Sequence, residues 1–298
     1  MKFSILDCTL RDGGYYNNWH FPLNVVRRQI LVNAHLGIEI TEIGYRFLRK
    51  SDNFGEAAFS TIDFIDILPK PENSKFSVMS NASDLIKLWE GEQNLTYLYP
   101  GVHLDTKVDL VRVALHYNEI SKLAPIITHL HNTGYKVALN LMQISNFSKT
   151  GLKKFIEFCN AMEVSIVYFA DSLGSLTPIK TKEISVIFAN MSSAPFGIHA
   201  HNNLGLALTN SLEAVKNGAS YVDASITGMG RGAGNTILEE LVVEKNRLDD
   251  NICGMQNLLE LIDDYYCPEQ IKSKWGKNLL YYAAALKNIH PAYVQEID

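Results

Sequence analysis

Two short segments hold the residue types best suited to chemistry: Leu10-Arg11-Asp12-Gly13-Gly14 near the head of the chain and Gly197-Ile198-His199-Ala200-His201-Asn202-Asn203 far downstream. Together they offer a carboxylate, a guanidinium and two imidazoles. His199 and His201 stand two apart at the end of an apolar, strand-like run. On a strand that spacing points both side chains to one side, with Cα atoms roughly 6.5–7 Å apart. Two such imidazoles with Asp12 can ligate one divalent cation and leave positions open for substrate or water. An H-x-H pair alone can equally be two polar residues near a sheet edge, so the coupling to Arg11-Asp12 carries the reading. Arg11 and Asp12 would diverge on an extended chain. A turn through Gly13-Gly14 loosens that constraint and lets a fixed cation reach a metal-bound anion; the plain alternative is a salt bridge at the rim.

Three further segments bear on the same site. Gly228-Met229-Gly230-Arg231-Gly232-Ala233-Gly234-Asn235 contains G-x-G-x-x-A, which invites a dinucleotide-binding reading. It follows the last predicted strand and no ribose-binding acid comes after it, so the better reading is a backbone that approaches a metal-bound substrate, with Asn235 supplying an amide oxygen ligand. Asp171-Ser172-Leu173-Gly174 ends another strand; Ser172 is a candidate donor to a substrate carboxylate, and Asp171 a brace or a helix cap. Glu42 and Arg46 are four apart on a predicted strand and so are expected on one side, as an interior salt bridge or with Arg46 binding substrate at the mouth.

Residues nearly two hundred positions apart meet only if the fold brings them together. Short apolar, β-branched runs recur at 3–10, 38–45, 76–80, 102–104, 136–144, 166–170, 196–201 and 221–226. Segments with helical spacing separate them, as at 204–217, where Gly218 is a stop signal. Eight alternating units in 298 residues fit an α/β chain, either a TIM (β/α)8 barrel or an open doubly wound sheet, and the count favours the barrel. In a barrel all strands point one way, so their C-terminal ends share a face. Residues 1–240 read as the barrel domain and 241–298 as a short C-terminal helical extension packed on it.

Composition narrows the function classes. A hydrophobic fraction of 47% and a charged fraction of 20% are ordinary for a globular enzyme. A formal charge of −5 with scattered Lys and Arg gives no reason to expect nucleic acid or an acidic membrane as partner. Cys8, Cys159, Cys253 and Cys267 form no C-x-x-C pair, which speaks against a disulfide framework and for a reducing, cytoplasmic setting. No run approaches the ~20 apolar residues of a membrane span.

At these residues the chain resembles the DRE-TIM metallolyase superfamily (HMGL-like), and within it the 4-hydroxy-2-oxovalerate aldolase branch. Thr9-Leu10-Arg11-Asp12-Gly13 is similar to that family's strand-one signature, Gly197 to Leu204 to its strand-seven metal motif, and Asp223-Ala224-Ser225 with the glycine-rich stretch ending in Asn235 to its strand-eight signature. The resemblance implies a (β/α)8 fold and Mn²⁺ or Mg²⁺ held by Asp12, His199, His201 and Asn235. It also implies a pyruvate-type 2-oxo acid bound through its carboxylate and ketone oxygens, and an aldehyde as second substrate. The metal would stabilise an enolate as a C–C bond forms or breaks, with Arg11 offsetting the charge on its oxygen.

Departures from the family pattern set further expectations. The aldolase branch carries a catalytic His three residues after the metal Asp, where this chain has Tyr15; Tyr15, Tyr16, His20 or a bound water is left to move the proton. Arg231 stands where the related hydroxymethylglutaryl-CoA lyase pattern has a cysteine. Tyr281 or Tyr282 falls where the branch places a substrate-facing tyrosine, and Tyr282 is assigned that part. The extension is shorter than the domain by which the bacterial aldolase joins an aldehyde dehydrogenase, so that partner is not expected, whereas a homodimer through the C-terminal helices is. The leading expectation is a metal-dependent aldolase. An acyl-CoA/2-oxo acid condensing acyltransferase on the same metal is the alternative, and a metal-binding barrel without activity the reading from another class.

Overall fold

The structure is a computed structural model that describes residues 2–48, 52–91, 94–247 and 254–295. Eight strands close into a parallel barrel in chain order: β1 (Ser4–Asp7), β2 (Ile40–Tyr45), β3 (Lys75–Asn81), β4 (Val108–Leu115), β5 (Lys136–Leu141), β6 (Ile166–Asp171), β7 (Phe196–Ala200) and β8 (Tyr221–Ala224). β8 pairs back onto β1 through Ser4↔Tyr221 to Asp7↔Ala224. This is the expected TIM barrel. Two short helices, α1 (Thr9–Asp12) and α2 (Gly14–Asn17), follow β1 at once. The outer layer comprises α3 (Leu23–His35), α4 (Ile62–Asp66), α5 (Ala82–Glu90), α6 (Ala124–Asn132), α7 (Lys149–Ala161), α8 (Pro178–Met191), α9 (Ala207–Lys216) and α10 (Leu238–Asn246). The C-terminal helices are α11 (Met255–Leu261), α12 (Cys267–Ser273), α13 (Leu279–Leu286) and α14 (Pro291–Gln295). Among the described residues no helix is long and apolar enough to cross a membrane. Cys8, Cys159 and Cys267 are free thiols, and Cys253 lies outside the described residues.

Alternation along each strand divides the core in two. On β4, Val111, Val113 and Leu115 face outward and join the large apolar layer that holds Ile126, Ile127 and Leu130 of α6. Leu110 faces inward and joins Leu6, Cys8, Ile40, Ala138, Ile166 and Tyr168 in the barrel floor. One layer higher the inward residues are charged: Glu42, Arg112 and Asp223. Above them the barrel opens at its C-terminal face.

The fourth strand was expected at 102–104 and lies instead at Val108–Leu115. Val102 and Leu104 are exposed, at 38% and 57%. The true strand hid because Arg112 interrupts its apolar run, yet Arg112 is fully buried among Glu42, Asp223 and the Tyr168 ring. The first strand also ends earlier than expected, at Asp7. Asp7 Oδ1 accepts the Thr9 backbone N–H, and Thr9 Oγ1 accepts the Ile226 N–H, so the turn into α1 is tied to the loop after β8.

Candidate active site

Because the chain turns helical at Thr9, Arg11 and Asp12 need not diverge. Arg11 Nη1 donates to Asp12 Oδ1 at 2.6 Å, and Arg11 Nε to Glu42 Oε2 at 2.8 Å. β7 then brings His199 and His201 to the same point. Their Nε2 atoms lie 3.2 Å apart, and Asp12 Oδ2 is 3.7 Å from His199 Nε2. One donor atom from each of the three residues falls within 4.8 Å of the others, and all three side chains are buried. Burial pushes the Asp12 carboxyl up, but Arg11 first, then His199, His201 and the Asn235 amide outweigh it and hold the group well below the usual carboxylate range. Burial, followed by His199, lowers His201 to about 3, so the imidazole is neutral, the form in which it could hold a metal.

The surroundings of the three donors are equally ordered. His199 sits opposite Asp223 in the β7–β8 register, and its Nδ1 donates to Asp223 Oδ2 at 3.0 Å. That fixes the tautomer with the Nε2 lone pair turned towards His201 and Asp12. Arg112 Nη2 donates to the same Asp223 oxygen at 2.6 Å and Arg112 Nη1 to Glu42 at 3.1 and 3.2 Å. A continuous buried chain therefore runs Asp12–Arg11–Glu42–Arg112–Asp223–His199. Three carboxylates meet two guanidiniums in it, leaving a formal charge of −1. A second donor group, Cys8 with His199 and Asp223, is less suited to a metal: burial pushes the Cys8 thiol well up, and Asp223 is taken by Arg112.

A family model described as HMGL-like matches residues 2–252. The chain belongs to the HMGL-like family. Among its relatives are a 4-hydroxy-2-oxovalerate aldolase of Carboxydothermus hydrogenoformans, 32% identical over 90% of this chain and 78% of that one, and one of Marinomonas sp., 27% identical with the same coverage. An oxaloacetate decarboxylase of Mycobacterium tuberculosis is 28% identical over 82% of this chain and 70% of its own length. The N-terminal domain of a Bacteroides vulgatus protein provisionally described as an aldolase is similar in structure, with a TM-score of 0.89, 30% identity and coverage of 99% of this chain and 96% of that one. An HMG-CoA lyase from Acenitobacter baumannii shares the fold at a TM-score of 0.70 and 16% identity, covering 93% and 96%.

In this HMGL-like chain the donors open into a cavity of about 280 Å³. Arg11, Asp12, Tyr15, Ser172, His199 and His201 all line it. Ser172 Oγ accepts the Gln143 N–H at 3.0 Å and keeps its own proton to donate. Asn235 lies beside the donors, but its Nδ2 donates to Asp12 Oδ2 at 2.8 Å while its Oδ1 is buried without a partner. The glycine loop can come this close because Gly230 has no side chain: a Cβ there would lie 2.4 Å from Asn235 Nδ2 and 2.8 Å from Asp12 Oδ2.

Four expected residues fall elsewhere. Arg46 does not line the cavity; it pairs with Asp105 at 2.7 Å and donates to the Leu98 carbonyl. Glu42 and Arg46 do not share a side, because the β2–β3 register shifts between Glu42 and Gly44, and one extra residue reverses the alternation. Gly44 permits this: a Cβ would lie 1.9 Å from the Ala57 carbonyl oxygen. His20 is exposed, with Nε2 3.1 Å from the Asn53 carbonyl oxygen, and lies outside the cavity. Tyr16 donates to the Gly232 carbonyl at 2.8 Å. Tyr282 is 37% exposed and also lies outside, whereas Tyr281 is buried against Ala233, Ala284 and Val294.

The cavity also has walls that the sequence reading passed over. Tyr45, Asn140, Gln143, His116, Glu119 and His290 line it, beside Arg231 of the glycine loop, to which the sequence reading assigned no role. Tyr15 hydrogen-bonds to the Tyr45 hydroxyl at 3.1 Å and packs edge-on against Trp19, whose Nε1 donates to the Arg11 carbonyl. His290 arrives from the C-terminal helices, where Pro291 of α14 sits over Gly232. A helical extension reaching back over the glycine loop is the signal that would have found it.

Proposed function

We propose that the chain is a divalent-metal-dependent aldolase that makes or breaks a C–C bond through the enolate of a pyruvate-type 2-oxo acid. One observation carries the reading: Asp12 Oδ2 and the Nε2 atoms of His199 and His201 converge in a buried pocket beside the Arg11 guanidinium. The site fits a divalent cation. It carries a formal charge of −1 before any ion enters, and His201 Nδ1 and Asn235 Oδ1 are buried without partners around the donors. Asp12, His199 and His201 would hold Mn²⁺ or Mg²⁺, which when bound supplies Lewis acidity to a 2-oxo acid. Asn235 braces Asp12 through Nδ2; with the amide turned over, its oxygen would replace that brace with a fourth donor.

The remaining roles belong to side chains in the cavity. Arg11 has a buried Nη2 with no partner, placed to donate to the substrate oxygen that gains charge on enolisation. Ser172 holds the substrate carboxylate through its free hydroxyl proton. In the synthetic direction C3 of the 2-oxo acid loses a proton to a water in the cavity, the enolate carbon attacks the aldehyde carbon, and the aldehyde oxygen takes up a proton. Tyr15, with its hydroxyl relayed to Tyr45, is the proton carrier at that oxygen. The oxaloacetate decarboxylase among the relatives fits the same scheme, since loss of CO₂ from oxaloacetate also leaves pyruvate enolate.

The test is deuterium exchange into the methyl group of pyruvate, measured with bound Mn²⁺ in wild type, His199→Ala and His201→Ala. Both variants are expected to lose the metal and the exchange. Unchanged metal content and exchange would overturn the reading, and so would a wild-type protein that binds Mn²⁺ and never exchanges pyruvate with an aldehyde present.

A further inference from the structure

Arg231 is the one guanidinium lining the cavity that stands outside the buried charge network. Arg11 is matched by Asp12 and Glu42, and Arg112 by Glu42 and Asp223. Arg231 has no carboxylate within ion-pair distance and no hydrogen-bond partner among the described residues; its contact is with the face of Tyr15, 3.8 Å from guanidinium carbon to ring centroid. A cation on an aromatic face keeps its N–H edge free for a planar oxyanion. Two imidazoles line the same cavity, His290 from the loop before α14 and His116 at the end of β4. Burial first, then Arg231 and His116, hold His290 below the ordinary imidazole range, so each of those two lies within electrostatic reach of His290. Glu119 is the cavity's other carboxylate besides Asp12, and its Oε2 accepts the His116 backbone N–H at 2.7 Å.

The charge count then separates two substrates. The network's −1, a divalent cation and a monoanionic 2-oxo acid together come to zero, so the donor half of the site is neutral without Arg231. Glu119, the carboxylate left over, is engaged by the His116 N–H and makes no ion pair with Arg231. We infer that Arg231, flanked by His290 and His116, forms an oxyanion subsite that selects a second substrate carrying a carboxylate or phosphate, in preference to a neutral aldehyde. This rests on the aldol reading for its place in the reaction, and on Arg231 alone for the binding.

Acceptor selection is measured with pyruvate and Mn²⁺ by comparing glycolaldehyde with glycolaldehyde phosphate, which share a skeleton, and with glyoxylate, which carries the carboxylate. Wild type is expected to favour one anionic acceptor over glycolaldehyde by about 10- to 150-fold in kcat/KM, the range lost with a charge-assisted hydrogen bond. The preferred anion identifies the group recognised. In Arg231→Gln the preference should fall to about threefold or less, and Arg231→Lys should restore part of it. The second measurement needs no turnover: glycolaldehyde phosphate and glyoxylate are titrated calorimetrically into metal-free protein. The preferred anion should bind about 30-fold more weakly to Arg231→Gln, and more weakly to His290→Gln as a second variant should the first fail to fold. No anionic preference in wild type, or one that survives in both variants, overturns the subsite. Absent pyruvate exchange in wild type overturns the aldol reading instead, and the titration still decides the subsite.

Discussion

His199 and Asp223 face each other across the β7–β8 register and share a hydrogen bond of 3.0 Å, so the barrel itself aims the imidazole. Replacing Asp223 with Asn keeps the shape and removes the charge that fixes the tautomer. Mn²⁺ affinity is expected to fall about 10- to 100-fold, the usual effect of losing such a partner. Calorimetric Mn²⁺ titration checks this, and an unchanged affinity would show that Asp223 does not position His199.

Arg112 is fully buried between Glu42 and Asp223. Arg112→Ala leaves two carboxylates without their shared cation, and uncompensated buried charges of this kind cost about 3–5 kcal/mol. Chemical denaturation should show a loss of that size. A change below about 1 kcal/mol would mean that water or another cation replaces the guanidinium.

Tyr15 lines the cavity and shares a hydrogen bond with Tyr45. Tyr15→Phe keeps the ring beneath Arg231 and removes the proton carrier. The expected outcome is a fall in kcat of about 10²- to 10⁴-fold with little change in KM for pyruvate. Equal kcat values would remove Tyr15 from the proton-transfer step.

Gly230→Ala places a methyl group against Asp12 and Asn235. Bound Mn²⁺ should fall sharply in a protein whose circular dichroism still reports the barrel. Full metal content would show that the loop can retreat without disturbing the donors.

Asp171 accepts the Ser175 and Leu176 backbone N–H groups and is raised by burial to about 7 from an ordinary 3.8. The folded state therefore holds a proton that the unfolded state has released between about pH 4 and pH 7, and this group's contribution to stability is lost as pH rises through that window. The difference in Tm between Asp171→Asn and wild type should shift in the variant's favour from pH 4 to pH 7. A difference independent of pH would place the Asp171 titration elsewhere.

The barrel and the meeting of Asp12, His199 and His201 were legible because they rest on local patterns: apolar runs separated by helical spacing, and an H-x-H at a strand end. What stayed hidden depends on partners remote in sequence. Arg112 masked β4 because a buried arginine reads as a surface one until Glu42 and Asp223 are seen around it. His290 and His116 carry no motif: His116 reaches the cavity from the end of β4, the strand that was itself misplaced, and His290 from the loop before α14. His20 and Tyr282 follow neighbours that do line or support the site, but adjacency in sequence did not carry either of them into the cavity.

The irregularity in β2 has a meaning for comparison between relatives. Before it, Glu42 looks into the barrel; after it, Tyr45 lines the cavity and Arg46 serves the outer layer with Asp105. The extra residue works as a phase change in a two-residue code. A relative lacking it would present the opposite set of β2 side chains to substrate, with no change of residue type anywhere in the strand. Across this family, a single inserted or deleted position at Ile43-Gly44 can therefore redraw specificity as thoroughly as several substitutions.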